Sequence, residues 1–189
     1  MRRRAALLSV GCVAAILAAS AWAATAWQTV VAFSAIEFTG TLDGGDFKGR
    51  FGKFDAAIVF DPSDLMGSRF RVVVDTGSAA TSDADRDAAL KGGDFFAADR
   101  WPTATYEAGE FVATGPGQFE ARGRLTMRGV TRELPVTFMF KGPADGKSAA
   151  LTGEATIHRL DFGIGQGEWR DTKWLGNDVR VKFDIVLRK

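Results

Sequence analysis

Between Gln118 and Lys141 the chain alternates apolar and polar side chains in two runs joined by a tight turn. Phe119, Ala121, Gly123 and Leu125 alternate with Gln118, Glu120, Arg122, Arg124 and Thr126. After the turn, Leu134, Val136, Phe138 and Phe140 share one face, and Glu133, Thr137 and Lys141 the other. A period of two gives each strand one apolar and one wet face. Arg128-Gly129 supplies the turn, with Gly129 free to take a positive φ. Pro135 has no N–H to donate, which predicts a bulge or a locally unpaired position. A lone hairpin cannot bury its apolar face, so further strands must close around this one.

The rest of the chain supplies them. Trp27 to Phe33 reads as a short apolar strand and Ser34 to Leu42 as a less regular second one. After the turn cluster Asp43-Gly44-Gly45-Asp46, a clear strand carries Phe54, Ala56, Ile58 and Phe60 on one face, and Asp61-Pro62 ends it. Phe70, Val72 and Val74 then alternate with Arg69, Arg71, Val73 and Asp75. Ser82 to Trp101 breaks the pattern: Ser82 or Asp83 can cap a short helix that Gly92-Gly93 ends, followed by a lid-like aromatic segment with Phe95, Phe96 and Trp101. Strands resume at Thr103 to Val112 and at Ala150 to His158. A Gly- and Trp-rich loop, Asp161 to Asp178, leads to a last strand with Val179, Val181, Phe183, Ile185 and Leu187 on one face. Seven or more alternating strands, short turns and one helical insert predict an all-β sandwich or barrel. One polar face on every clear strand fits an antiparallel sheet curled on itself, and about eight strands can close.

Composition adds a compartment. Met1-Arg2-Arg3-Arg4 precedes an apolar run and then Ala21-Trp22-Ala23, the form of a secretory signal peptide covering residues 1–23; cleavage after Ala26 is the alternative. The apolar run is short for a membrane span. Cys12, the only cysteine, reads as a small apolar residue of that signal rather than an acylation site, so the expected mature chain 24–189 has no disulfide and no thiolate. Removing the three leader arginines leaves 21 basic against 23 acidic residues, a formal charge of −2, which argues against a nucleic-acid surface. The expected location is periplasmic or secreted. Nothing in the pattern assigns an oligomeric state.

The candidate chemistry is sparse. Asp83, Asp85 and Asp87 begin like a calcium loop, but Ala88 and Asp94 stand where that loop needs Gly and Glu. His158, the only histidine, falls on a polar strand face without partner ligands at metal spacing. Gly163-Ile164-Gly165-Gln166-Gly167 has no following helix and is no dinucleotide fingerprint. No metal, cofactor or catalytic residue is expected. The inward positions mix large residues (Phe54, Ile58, Phe70, Tyr106, Phe138) with small ones (Ala104, Ala108, Ala121, Gly123, Gly153, Ala155), which allows either a cavity or a filled taper. Trp169 and Trp174 read as lid aromatics or as the plug of a barrel end.

Several pieces, in order and spacing, resemble the YceI-like family of lipocalin-like periplasmic barrels. They are Gly49-Arg50-Phe51-Gly52-Lys53-Phe54, Phe60-Asp61-Pro62, Arg86-Asp87 with Asp94-Phe95-Phe96, Trp101-Pro102, Gly123 to Arg132, and Phe162-Gly163-Ile164-Gly165. The resemblance implies an antiparallel lipocalin-like β-barrel of about eight strands with one short helical insert. It also implies a long apolar pocket for a polyisoprenoid or isoprenoid-quinone-like lipid, and a binding protein rather than an enzyme. The residues assigned to that pocket are Phe54, Ile58, Phe70, Phe95, Phe96, Trp101, Tyr106, Ala121, Phe138, Trp169 and Trp174. Two departures stand out: Ser34 to Phe38 lacks a histidine often found there in the family, and Gln166-Gly167-Glu168-Trp169 with Asp178-Val179 resembles a subgroup joined to a membrane b-type cytochrome. The alternatives are therefore an accessory protein of such an electron-transfer system, or an enzyme acting on an isoprenoid lipid.

Overall fold

The computed structural model describes residues 24–142 and 147–189; the expected signal segment, with Cys12 and the cleavage site at Ala23, and loop positions 143–146 lie outside the described residues. Among the described residues the elements are β1 (Ala26–Thr29), β2 (Ala35–Leu42), β3 (Gly45–Phe51), β4 (Phe54–Val59), β5 (Arg69–Asp75), β6 (Ala79–Ala80), α1 (Ala84–Lys91), β7 (Thr103–Gly115), β8 (Gln118–Met127), β9 (Val130–Lys141), β10 (Ser148–His158) and β11 (Asp178–Arg188).

The first six strands are the halves of three bent ones. β1 and β2 are interrupted by a 3-10 turn at Val31–Phe33, β3 and β4 by Gly52-Lys53, and β5 and β6 by a 3-10 turn at Thr76–Ser78. With each bent pair taken as one strand, eight strands pair antiparallel in chain order. β11 then closes on the first strand, meeting β1 through Gln28↔Arg188 and β2 through Phe38↔Val181. Closure gives every strand a hydrogen-bonded neighbour on each side over part of its length, so no strand is left as a free edge along its whole length. This is the closed antiparallel barrel with one helix that the family resemblance implies; the alternation alone allows a sandwich or a barrel.

The bends are bonded to one another. Gly52 N–H donates to Ser78 O at 3.1 Å, and Asp75 N–H donates to Lys53 O at 3.0 Å. The donors released where the strands break are thus satisfied by the neighbouring break. The first strand is shorter than its composition suggests and stops at Thr29. Ser34 Oγ donates to Val30 O at 2.9 Å and accepts from Val186 N–H at 3.0 Å, which holds the turn and leaves Phe33 70% exposed.

In the β8–β9 hairpin both turn residues, Arg128 (φ 50°) and Gly129 (φ 74°), are left-handed, as a two-residue turn of that hand requires. Pro135 stays in register opposite Arg122, and the β9–β10 ladder ends at Thr137, so Pro135 lies at an unpaired spot and not at a bulge. Register shifts fall in β7 instead, between Ala108 and Glu110 and between Ala113 and Gly115.

Helix α1 begins where Asp83 Oδ1 accepts from Arg86 N–H at 2.9 Å, and Gly92 ends it. Asp87 accepts from both Thr81 N–H (2.6 Å) and Thr81 Oγ1 (2.7 Å), and the hydroxyl bond holds its carboxyl below the usual range. Two of the three acids that begin like a calcium loop therefore bind the start of the helix to the chain before it.

Candidate ligand cavity

The barrel has a filled half and a hollow half. The filled half is the end that carries β1, where Trp27 Nε1 donates to Phe60 O at 2.9 Å. Phe60 is fully buried, and five rings surround it with centroids 5.0 to 5.7 Å away: Phe70, Phe111, Phe119, Phe138 and Phe140. Four of the five contacts are edge-on, the arrangement that the ring quadrupole favours. Ala121 and Leu187, both fully buried, close the gaps between these rings.

Along the same strands toward the other end, the inward residues lose their cover. On β11, Leu187 and Ile185 are buried, whereas Phe183, Val181 and Val179 are only half-buried. β9 passes from buried Phe138 and Val136 to half-buried Leu134, and β5 from buried Phe70 to half-buried Val72 and Val74. All of these residues face a cavity of about 210 Å³, except Leu187 and Phe138, which lie in the filled half. Leu90 and Phe95-Phe96 from the helical insert, with Ile164 and Leu175 from the loop before β11, complete its lining. The insert and that loop are bonded together, since the N–H groups of Gly165 and Gln166 both donate to Asp94 O, at 2.7 and 3.0 Å.

Glycines in the wall make room for flat rings. Phe183 lies across Gly153, so a Cβ at 153 would come within 2.5 Å of the Phe183 ring; Tyr106 covers Gly123 in the same way, also at 2.5 Å. The large and small inward residues therefore belong together: the small ones let rings lie against the wall and leave the axis open.

Tyr106 and Arg159 are the two lining residues with polar side chains, and both are already engaged. Tyr106 Oη lies 3.1 Å from Ala121 O and 3.2 Å from Leu134 O, and burial, helped by the nearby Glu120 carboxylate, pushes its phenol well above its ordinary pKa. Arg159 is 3% exposed, and its guanidinium donates to the carbonyls of Ile164, Trp169, Leu175 and Gly176 at 2.6 to 2.8 Å. It fastens the loop that lines one end of the cavity. Among the described residues no buried side-chain polar atom lacks a partner. The wall thus offers an occupant shape and apolar contact rather than hydrogen bonds.

Of the eleven residues that the sequence assigned to a pocket, Ile58, Phe70, Phe95, Phe96 and Tyr106 line this cavity. The other six lie outside its lining, and each placement has a physical reason. Phe138 and Ala121 share the inward parity but sit in the filled half. Phe54 follows the Gly52-Lys53 bend and packs against that same cluster. Trp101 lies under the guanidinium groups of Arg100 and Arg128, at 4.4 and 5.2 Å, on the outside of the hairpin turn. Trp169 packs against Phe95 from behind, with centroids 5.6 Å apart. Trp174 is 59% exposed, and its carbonyl accepts from Asp43 N–H at 2.7 Å. Phe38, Phe47, Phe51, Val181 and Phe183, none of them among those eleven, also stand in the lining. Alternation places Val181 and Phe183 inward, but parity carries no information on depth along the barrel axis. His158 is exposed, with Nδ1 2.8 Å from Asp178 Oδ1.

Known proteins share this architecture. A UPF0312 protein of Vibrio cholerae is 37% identical over 121 residues, 62% of this chain; the match spans 64% of that relative's length. The crystal structure of BcnA from Burkholderia cenocepacia superposes with a TM-score of 0.81 at 26% identity, covering 84% of this chain and 99% of BcnA. A polyisoprenoid binding domain from Saccharophagus degradans, implicated in plant cell wall breakdown, shares the fold with a TM-score of 0.67 at 14% identity, covering 86% and 97% of the two chains. The family described as the YceI-like domain matches residues 22–187, and the chain belongs to that family.

Proposed function

We propose that this barrel is a binding protein that holds the hydrocarbon tail of an isoprenoid lipid, a polyisoprenoid or an isoprenoid quinone, in the cavity between Phe70 and the Phe95-Phe96 segment. The observation that carries the reading is the cavity wall, apolar throughout except for Tyr106 and Arg159, whose polar atoms are already bonded. Such a wall rewards an apolar chain in proportion to the area it covers, about 25 cal/mol per Å². The polyisoprenoid binding domain that shares the fold supports the same ligand class. The family match and that shared fold favour binding over catalysis. The protein acts in the periplasm or outside the cell once residues 1–23 are removed, as the basic-then-apolar leader suggests.

The test is organic extraction of protein purified from its own envelope fraction, followed by mass spectrometry. A prenyl lipid or prenyl quinone at near-stoichiometric yield is the expected result. An extract with no apolar ligand, or one carrying a haem, would overturn the reading.

A further inference from the structure

The phenylalanine cluster that fills half of the barrel also sets a length. Phe70 belongs to both halves: it lines the cavity, and its ring lies 4.7 Å from Phe111, 5.3 Å from Phe138 and 5.7 Å from Phe60. Ile58, Leu151 and Ile185, each no more than 3% exposed, stand with it in the lining. Behind them Phe60, Ala121 and Leu187 are fully buried. A close-packed interior of this kind does not yield to a chain end without displacing a ring from its neighbours. We infer that Phe70 and the residues beside it are a floor that limits the cavity to about two isoprene units, so that a longer tail keeps its remainder outside. This rests on the isoprenoid reading above. The volume gives the estimate: a cavity of roughly 150 Å³ holds a six-carbon ring, so one of this size takes roughly eight to ten carbons. The small Ala121 adds no length, because the rings of the cluster already fill the space beside it.

The test is a chain-length series measured by titration calorimetry: five-carbon prenol, ten-carbon geraniol, fifteen-carbon farnesol and twenty-carbon geranylgeraniol, with linear alcohols of the same lengths in parallel. Each unit that enters the cavity strengthens binding by at least about tenfold, and a unit left outside by less than about threefold. For the wild-type protein the gain is expected between five and ten carbons and not beyond. Phe70→Ala lowers the floor, and the tenfold gain should then extend to fifteen carbons. Phe70→Leu is the milder change should the alanine variant fail to fold. Val72→Phe, which fills the cavity from its wall, should weaken ten-carbon binding at least tenfold in a folded protein.

Wild-type affinity that climbs tenfold per unit to twenty carbons overturns the length limit and leaves the isoprenoid reading standing. So does an unchanged profile in folded Phe70→Ala or Phe70→Leu protein. Linear alcohols that break at ten carbons while no prenol binds uphold the limit and overturn the isoprenoid reading. Binding of neither series overturns both.

Discussion

Gly153 on β10 stands directly opposite Phe183 on β11, and the phenylalanine ring occupies the place where a side chain at 153 would begin. A Cβ there would also strike the carbonyl oxygen of Thr137, which belongs to the adjoining strand and cannot step aside as a side chain can. Gly153→Ala should therefore destabilise the barrel by about 1–3 kcal/mol, the usual cost of forced overpacking. Gly93→Ala is the control, since nothing lies within 4 Å of that position, and it should stay within about 0.5 kcal/mol. Urea unfolding of both variants measures the difference; equal midpoints would mean that the wall does not close against Phe183.

The ring cluster makes the filled half the more sensitive one. Phe138 is 1% exposed and touches Phe60, Phe70, Phe111 and Phe119. Phe138→Ala should cost about 3–5 kcal/mol. Phe183→Ala removes a ring that already borders open space, so fewer contacts are lost and the cost should be clearly smaller. Similar costs at the two positions would contradict the division into filled and hollow halves.

Ala121→Phe separates a fully buried site from a cavity wall. Residue 121 is fully buried between the rings of the cluster, so the added bulk has no void to enter and should lower stability by about 1–3 kcal/mol or more. An unchanged denaturation midpoint would place a void beside Ala121.

Arg159 holds the loop at one end of the cavity through the carbonyls of Ile164, Trp169, Leu175 and Gly176, with a longer contact to Gly165 O at 3.5 Å, and its charge has no carboxylate among those partners. Arg159→Leu leaves those oxygens without donors, each loss costing about 1–3 kcal/mol where the group stays buried. The expected outcome is a large fall in stability together with faster amide hydrogen exchange at Gly165 and Gln166, whose N–H groups tie this loop to Asp94. Unchanged exchange there would mean that the loop stands without the arginine.

Tyr106 is the only tyrosine, so its ionisation can be followed by ultraviolet absorbance without overlap from another. Burial raises its pKa above the ordinary value of 10.0, because the charged phenolate is the form that burial penalises. The unfolded chain therefore ionises first as the pH rises. The stability that this group contributes is fully present below pH 10 and falls away above it, by up to about 1.4 kcal/mol per pH unit. In the native protein the phenolate band should appear only above the range seen in urea, and Tyr106→Phe should flatten the alkaline loss. Titration of the native protein at the ordinary value would show that water reaches the hydroxyl.

Local alternation determined much of this molecule. It fixed the inward face of β8, β9, β10 and β11, the turn at Arg128-Gly129 and a short helix with its cap at Ser82 or Asp83, because these depend on neighbours one to four residues apart. It also called for a common interior, since every clear strand had one apolar face to bury, but a sandwich or a barrel could supply it, and closure is seen only where β11 meets β1 and β2. Ala121, Gly123 and Ala104 share one inward parity, yet the fold puts the first among packed phenylalanines, the second under the Tyr106 ring and the third in the cavity wall. That division follows from axial depth, which is set when eight strands close with a particular register and with bends at Val31–Phe33, Gly52-Lys53 and Thr76–Ser78. Phe60 meets Phe138 across 78 positions of sequence, and no local pattern states that two such residues lie at the same level. A strand's own residues determine which way each side chain points; only the closed barrel decides what it finds there.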